Sequence, residues 1–360
     1  MNTSKSLPLW SILSPLAGWL LIVASKFNPG SWFLLLLVVA LMASVLAAVY
    51  HAEVVAHKVG EPFGTLVLAL AVTLIEVALI VSLMLSGGEA TNGLARDTVF
   101  AAIMIILNGI VGICLLVGAS RHREQSFGLN GVSASMATLA AISVLTLVLP
   151  NYTLSLEGPY YSAPQLAFIA IISIVLYGTF VLVQTVRHRD YFLPEEAVDN
   201  EEVHAKPPSD KVAAGSAVLL LACLGAVVFL AKSLAPALEV GLARLGAPDT
   251  VVGIVIAAIV LMPEGLAAVR AARANRLQTS LNLALGSALA SIGLTIPAVA
   301  VVSLITGWTI SLGLDVKSTV LLMLSFFVAS FSLSTGRTTV MQGMVHVVIF
   351  AVYLFITVVP

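Results

Sequence analysis

Two apolar stretches of the chain each hold one glutamate near their middle. Glu76 is the only charged residue of AVTLIEVALI (71–80), and Glu264 is the only charged residue of IVLMPEGLAAV (259–269). Carboxylate oxygens bind either a cation or a proton, so a pair of carboxylates can exchange one for the other. Two carboxylates balance one divalent cation or two protons. The surroundings of these two acids decide which chemistry they can perform.

The composition places the chain in a lipid bilayer. Of its 360 residues, 59% are hydrophobic and 10% are charged, and the mean hydropathy is +1.07. Soluble globular domains carry about 25% charged residues. The net charge of −1 shows no basic excess, which argues against a nucleic-acid partner. Cys114 and Cys223 lie inside apolar runs and predict neither a disulfide framework nor a metal site, and no cofactor is expected.

Eleven apolar runs are long enough to cross a membrane as helices, each of which needs about 20 residues. We therefore predict an all-α membrane protein with eleven transmembrane helices. The first run follows Lys5 and could be a signal peptide, but VASKFNPG offers only a weak cleavage site, which favours an uncleaved helix. The predicted spans are 9–25, 31–50, 62–86, 98–119, 130–149, 164–186, 212–234, 250–269, 279–306, 317–335 and 338–358.

The distribution of lysine and arginine supports this topology. With a cytoplasmic N-terminus, twelve of the 17 basic residues fall in inner segments, as the positive-inside rule requires. We therefore expect a multi-pass inner-membrane protein with a cytoplasmic N-terminus and a periplasmic C-terminus. The outer set is Lys26, Arg96, Lys232, Arg244 and Lys317, and the inner set is Lys5, Lys58, Arg121, Arg123, Arg187, Arg189, Lys206, Lys211, Arg270, Arg273, Arg276 and Arg337.

An acidic cytoplasmic linker, residues 187–211, divides the chain into two sets of helices. A solvated connector and a regulatory cation-sensing segment are both open interpretations of the linker. One N-terminal helix (1–27) precedes a set of five (28–186), and a second set of five (212–360) follows. Since five is odd, the second set enters the membrane inverted. Glu76 and Glu264 each lie on the second helix of a set, which is typical of inverted repeats with a binding site near the midplane.

Both acids are predicted to lie deep in the membrane. Each is about 20 Å along its helix, within a hydrocarbon layer about 30 Å thick. Acids at that depth mark ion or proton paths, although a single one could be a structural acid bonded to a neighbouring helix. Burial disfavours the anion, so the pair is expected to hold protons until a cation replaces them. Ca²⁺ prefers about six to eight oxygen ligands, and Na⁺ and K⁺ also accept oxygen.

Four polar residues could complete such a site. Thr73 lies one turn before Glu76 on the same helical face, and Asn108 lies in the next span. Ser287 and Ser291 lie in the span that follows Glu264. For the last three, a hydrogen bond between helices is an equally good interpretation, and for Thr73 the alternative is a bond to its own helix backbone.

Two further residues predict local features. Pro263, immediately before Glu264, removes a backbone hydrogen bond and predicts a break in its helix. His346 lies inside the last span and is expected to bond to a neighbouring helix.

Four segments give the chain a resemblance to a known family. They are HAEVVAHKVGEPFGTLVLALAVTLIEVALI (51–80), RDTVFAAIMIILNGIVG (96–112), LMPEGLAAVRAARANRLQTSLNLALGSALASIGLTIPAV (261–299) and SFSLSTGRTTVMQGMVHVVIFAVYL (330–354). Through them the chain resembles bacterial calcium/proton antiporters of the ChaA-type branch of the cation/proton exchanger family, within the sodium/calcium exchanger superfamily. The resemblance implies that helices 2–6 and 7–11 are inverted repeats, and that Glu76 and Glu264 bind the metal cation and exchange it for protons. It places Asn108, Ser287 and Ser291 among the supporting ligands.

The chain also departs from the family pattern. Gly265 stands where a histidine is common, and Gln342 stands where family members carry an acid. With fewer polar ligands than the pattern, Na⁺/H⁺ or K⁺/H⁺ exchange stays open beside Ca²⁺/H⁺ exchange.

We therefore predict a secondary antiporter rather than an enzyme, with an inorganic cation, protons and the lipid bilayer as its partners. A cation channel would use charged rings from several subunits, whereas both acids here belong to one chain. An intramembrane enzyme would need a nucleophile with a base, or a metal set, near Glu76 or Glu264, and the sequence shows none there. A homo-oligomer is an open alternative to a monomer.

Overall fold

The structure is a computed structural model that describes residues 7–27, 32–60, 63–193, 208–244 and 250–359. Apolar runs form its helices because, in a bilayer, a helix satisfies every backbone N–H and C=O within itself. The α-helices are α1 (Leu9–Ser25), α2 (Phe33–Val59), α3 (Phe63–Gly87), α4 (Leu94–Met104), α5 (Val111–His122), α6 (Leu129–Ser143), α7 (Ala163–Leu182), α8 (Asp210–Arg244), α9 (Thr250–Arg273), α10 (Leu277–Thr306), α11 (Val316–Ser332) and α12 (Val340–Val358).

Several helices continue through turns of different pitch. A π-helical turn, Ile105–Ile110, joins α4 to α5, so that the two form one apolar helix over Leu94–His122. Other π-helical turns, Val144–Val148 and Val183–Arg187, extend α6 and α7. Single turns of 3-10 helix are formed by Gly88–Thr91, Leu149–Tyr152 and Arg189–Phe192. The sequence predicted none of these turns.

The predicted all-α membrane fold is confirmed. Eight helices of the described chain are long and apolar enough to cross a membrane. Three shorter apolar helices, Leu9–Ser25, Leu70–Leu85 and Val316–Ser332, bring the total to the predicted eleven.

The helices divide into two compact units that cut across the predicted repeats. Unit 1 contains α1, α2, α3 and α8, and unit 2 contains α4–α7 and α9–α12. Each unit therefore takes helices from both five-helix sets, whose boundaries stay a prediction. Most of the predicted acidic linker, residues 194–207, lies outside the described residues.

In unit 1, a fully buried histidine joins three helices. His51 lies on α2, and its Nε2 is 3.1 Å from the carbonyl oxygen of Ser11 on α1. Its Nδ1 is 3.3 Å from the hydroxyl oxygen of Ser216 on α8. Because a carbonyl only accepts, Nε2 carries the ring proton and Nδ1 accepts from Ser216.

At one end of unit 2, the α5–α6 loop pairs with the α11–α12 loop. The strands β1 (Gln125–Ser126) and β2 (Arg337–Thr338) are antiparallel. The next backbone N–H, that of Phe127, donates to the carbonyl of Gly336 at 2.9 Å. We call the pairing of β1 with β2 the ribbon clasp.

At the other end of unit 2, the α6–α7 loop pairs with the α10–α11 loop. Tyr160 forms an isolated antiparallel bridge with Ser311, which we call the bridge clasp. The N–H groups of Leu312 and Gly313 both donate to the carbonyl of Pro159 at 3.0 Å. An inverted repeat would map the α5–α6 loop onto the α10–α11 loop and the α6–α7 loop onto the α11–α12 loop. The two clasps are therefore counterparts under the predicted repeat symmetry.

The last helix of each predicted repeat begins with the same type of cap. At the start of α7, the side-chain oxygen of Gln165 accepts from the backbone N–H of Ser162 at 3.0 Å. At the start of α12, the side-chain oxygen of Gln342 accepts from the N–H of Thr339 at 2.7 Å. Both follow the capping-box spacing, in which a residue three positions into the helix reaches back to its first N–H.

Candidate functional site

Glu76 is buried in unit 1, on a helix with an apolar surround. It lies thirteen residues after Phe63, the first residue of α3, and only 3% of its surface is exposed. Thr73, one turn earlier, is also buried. A carboxylate held out of water is stable only when a proton, a cation or several donors compensate its charge. The charge of a buried Glu76 carboxylate therefore has to be compensated in one of these ways.

Glu264 occupies a corresponding position along its own helix in unit 2. It lies fourteen residues after Thr250, the first residue of α9, and is partly exposed. The hydroxyl of Ser287 on α10 donates to the Oε2 atom of Glu264. The structure therefore brings these two predicted site residues together. Ser291 follows one turn later on α10 and is buried.

The helix around Glu264 differs from the prediction. We expected Pro263 to break it, and this expectation is wrong, because α9 is one continuous helix over Thr250–Arg273. A proline removes one hydrogen bond, and a helix held by its neighbours can accommodate that loss by bending. Gly265 has a packing role beside the acid, since a Cβ added there would lie 3.1 Å from the Cδ1 atom of Ile110. The π-helical turn Ile105–Ile110 is therefore seated directly against α9 next to Glu264.

Asn108 lies in that π-helical turn and is fully buried. Its Nδ2 donates to the hydroxyl oxygen of Ser325 on α11 at 2.8 Å. Its Oδ1 lies 3.1 Å from the Nδ1 atom of His346 on α12. The structure thus shows the hydrogen bonds between helices, whereas the role of Asn108 as a cation ligand stays a prediction. The expected bond from His346 to a neighbouring helix is confirmed.

The candidate residues are divided between the two units of the chain. Thr73 and Glu76 belong to unit 1, and Asn108, Ser287, Ser291 and Glu264 belong to unit 2. Sequence reasoning missed Ser325, because no spacing in the sequence connects it with Asn108, which is 217 positions away.

The sequence model of the family described as "Sodium/calcium exchanger protein" matches residues 30–186 and 215–359. The chain is 48% identical to a Sinorhizobium fredii protein named as an ionic transporter, y4hA, over 99% of this chain and 98% of that protein. It is 36% identical to the sodium-potassium/proton antiporter ChaA of Escherichia coli, over 89% of this chain and 87% of the relative.

Two kinds of solved structure share the fold. The native structure of YfkE superposes with a TM-score of 0.73 and 17% identity, over 98% of this chain and 100% of that one. The H⁺/Ca²⁺ exchanger CAX gives a TM-score of 0.70 and 16% identity, over 96% of this chain and 88% of that one. At such low identities these matches show a common fold.

Proposed function

Because the chain belongs to the sodium/calcium exchanger protein family, we propose that it exchanges Ca²⁺ for protons across the bacterial inner membrane, using Glu76 and Glu264. The family consists of transporters, which agrees with the predicted antiporter. The observation on which the proposal rests is a pair of acids at matching positions along two apolar helices, thirteen and fourteen residues from the starts of α3 and α9.

The chemistry of exchange follows from the placement of these acids. A carboxylate in an apolar helix is costly to leave charged and uncompensated. A proton or a metal cation can each supply that compensation at the same oxygens, so the two compete. One Ca²⁺ replaces two protons without changing the total charge of the pair. Competition of this kind couples the movement of one species to that of the other.

Ser287 supports the role of Glu264 in this cycle. Its hydroxyl donates to Oε2 in the structure, and such a donor stabilises the charged carboxylate. A hydroxyl can also rotate and offer an oxygen lone pair to a cation. We propose Ser291 and Thr73 as further oxygen ligands. Ser291 lies one turn from Ser287, Thr73 lies one turn from Glu76, and both are buried.

Exchange of Na⁺ or K⁺ for protons is the second candidate function. The relative that supports it is the sodium-potassium/proton antiporter ChaA of Escherichia coli, at 36% identity. Relatives named as Ca²⁺/H⁺ antiporters, from Bacillus subtilis and Aphanothece halophytica, are each 24% identical. The residue after Glu264 is Gly265, which has no side chain and so contributes no side-chain ligand. Ca²⁺ takes about six to eight oxygen ligands, so a site with fewer oxygens is less suited to Ca²⁺.

Transport by proteoliposomes with an imposed pH gradient tests the proposal. We expect saturable Ca²⁺ uptake, and we expect Glu76→Gln and Glu264→Gln each to abolish it, because an amide carries neither the proton nor the charge. Glu157→Gln is the matched control, since Glu157 lies exposed in a loop. Competition by Na⁺ and K⁺ in the same vesicles decides between the two candidate functions. Uptake that survives both glutamine substitutions would contradict the assignment of the acids.

The membrane orientation is a further part of the proposal. The ribbon-clasp end of unit 2 is rich in exposed arginine, which the positive-inside rule assigns to the cytoplasm. The N-terminus is then cytoplasmic and the C-terminus periplasmic. The exposed arginines are Arg121, Arg123, Arg270, Arg273, Arg276 and Arg337.

Cysteine labelling of intact cells tests this orientation. Glu157→Cys, beside the bridge clasp, should react with an impermeant maleimide, and Glu124→Cys, beside the ribbon clasp, should react only after the cells are opened. The native Cys114 and Cys223 are buried and give a low background. The reverse labelling pattern would refute the orientation.

A further inference from the structure

A fully buried polar cluster in unit 2 connects the π-helical turn with α11 and α12. Its members are Asn108, Ser325 and His346, each of which has no exposed surface. Asn108 is central, with its Nδ2 2.8 Å from the Ser325 hydroxyl and its Oδ1 3.1 Å from the His346 Nδ1. In an apolar environment such polar groups are stable only when donors meet acceptors.

The positions of the protons in this cluster follow from one bond outside it. The Ser325 hydroxyl lies 2.7 Å from the carbonyl oxygen of Leu321 and has a single proton to donate. Donating it to Leu321 makes Ser325 an acceptor for Asn108, so the amide nitrogen faces Ser325 and the amide oxygen faces His346. The His346 Nδ1 must then carry the ring proton.

The opposite assignment is unfavourable. If the Asn108 oxygen faced Ser325, the serine proton would turn away from Leu321 and leave two oxygens 2.7 Å apart with no proton between them. The His346 Nδ1 would become an acceptor, and a neutral ring would then carry its proton on Nε2. Nε2 is buried and has no hydrogen-bond partner in the described part of the chain. A buried N–H without a partner is rarer and costlier than a bare lone pair.

The favoured assignment leaves only acceptors unfilled. The second Nδ2 hydrogen of Asn108 faces the sulfur of Met104 at 3.8 Å. What remains open is one lone pair on the Asn108 Oδ1, one on the Ser325 hydroxyl oxygen and the lone pair of the His346 Nε2. No N–H of the cluster is unused. The cluster therefore presents electron-rich atoms, which attract a cation, and no donors, which would repel one.

We propose that His346 is a positioning residue for cation exchange, acting through Asn108. Its Nδ1–H fixes the Asn108 amide so that the open function is the carbonyl oxygen rather than the NH₂ group. The inference rests on the proposed function and on the prediction, from the family resemblance, that Asn108 is a cation ligand. It requires no change in the charge of the imidazole.

The position of the cluster in unit 2 connects the orientation of the Asn108 amide with the helix that carries Glu264. Asn108 belongs to the same π-helical turn as Ile110, which contacts Gly265 next to Glu264. π-helical turns interrupt the regular bonding of a helix and recur at functional sites. The amide bonds to α11 and α12 hold this turn in place, and the turn packs directly against the helix of Glu264.

A pair of substitutions separates positioning from general packing. In His346→Asn, the side-chain amide can place an N–H near the former Nδ1, whereas in His346→Gln the N–H falls near the former Nε2. We expect the asparagine variant to keep the KM for the cation within about threefold of wild type. We expect the glutamine variant to raise KM about tenfold or more with a smaller change in Vmax, as loss of an outer-shell partner does at metal sites. The control is His57→Gln, at an exposed position of α2.

The tautomer gives a measurement that does not depend on how the His346 variants fold. In ¹⁵N NMR of wild-type protein labelled at its six histidines, His346 should show a protonated Nδ1 and an unprotonated Nε2. A free neutral imidazole prefers the other tautomer. The resonance is assigned by replacing the other five histidines in turn.

The possible results distinguish this inference from the proposed function. A proton on the His346 Nε2, or equal KM values for the asparagine and glutamine variants, would overturn the positioning role. If Glu264→Gln abolishes transport while His346→Gln transports like wild type, only the positioning role fails. If Glu264→Gln transports normally, the proposed function itself fails, whatever the tautomer of His346.

Discussion

The ribbon clasp and the bridge clasp use the same loop plan but different chemistry. At the ribbon clasp the buried donor is an uncharged amide, since Gln125 Nε2 donates at 2.9 Å both to the carbonyl of Ala272 and to the Oδ1 of Asn275. The charged pair at this end, Arg337 with Glu124 at 3.8 Å, lies exposed on the surface. At the bridge clasp the central donor is charged, since Arg96 pairs with Asp97 at 2.7 Å and donates to the Ser311 hydroxyl at 2.9 Å. The shared loop pairing follows the predicted symmetry, whereas the side chains that secure it differ between the two ends.

At each clasp, a glycine also leaves room for the side-chain amide of a neighbouring residue. A Cβ added to Gly118 would overlap the side-chain carbonyl of Gln125, and one added to Gly313 would overlap the side-chain carbonyl of Asn151. Asn151 donates in turn to the carbonyl of Leu314 at 2.6 Å. Gln125 is buried and Asn151 is exposed. The two ends should therefore respond differently when the space is filled.

Replacing the glycine at each clasp by alanine should give the largest changes in the free energy of unfolding. We expect Gly118→Ala to lower the free energy of unfolding by about 2–4 kcal/mol, because the buried Gln125 must leave two acceptors behind. Gly313→Ala should lower it by about 1 kcal/mol, since the exposed Asn151 can move into solvent. Thermal and denaturant unfolding in detergent measure both. Gly178→Ala is the control, because a Cβ there meets nothing within 4 Å.

A double variant checks the cause of the larger effect. If Gly118→Ala acts by displacing Gln125, then Gly118→Ala with Gln125→Ala should be no less stable than Gly118→Ala alone. Additive losses would show that the two residues act independently.

Removing the charge at the bridge clasp should give a smaller effect that depends on salt. We expect Arg96→Met to cost about 1–2 kcal/mol at low ionic strength, because it removes the partner of Asp97 and the bond to Ser311. The cost should shrink in 1 M salt (about 3 Å screening length), since the Arg96–Asp97 pair is partly exposed. Gln125→Met at the ribbon clasp is the matched variant, and its cost should not change with salt. Equal salt dependence at both ends would contradict the distinction between them.

Most of the helical framework was predictable from hydropathy alone. Each predicted span overlaps a helix, because a run without charges in a membrane has few alternatives to a helix. The ends were less predictable. The span predicted at 212–234 belongs to α8, which continues to Arg244 through Pro236. Length estimates from hydropathy do not register polar or proline-containing turns that neighbouring helices stabilise.

The caps of the last helix in each predicted repeat were readable but were missed. SAPQ (162–165) and TVMQ (339–342) have the same spacing of a hydroxyl residue and a glutamine. In the sequence, Gln342 stands out only as a departure from the family pattern. Its oxygen accepts from the N–H of Thr339, so a glutamine at that position has a local structural role in this chain.

The candidate site was only partly predictable. Burial of Glu76 follows from its apolar surround, and the bond from Ser287 to Glu264 joins residues that are 23 positions apart on consecutive spans. The π-helical turn at Asn108 has no signature in the sequence, because packing against α9, α11 and α12 determines where the extra residue is accommodated. The break expected at Pro263 does not occur, for the reason that local propensity yields to tertiary packing.

Unit 1 combines helices from both predicted five-helix sets, so it cannot be completed until late in synthesis of the chain. His51 is translated 165 residues before Ser216, the α8 residue to which its Nδ1 is bonded. At roughly 5–20 residues per second, synthesis of the intervening chain takes roughly 8–33 s. During that interval the nascent α2 has reached the membrane without its later neighbour. A ribosome stalled in the acidic linker would therefore leave α2 with an unfilled imidazole acceptor and an unburied flank, a form that quality-control proteases could recognise.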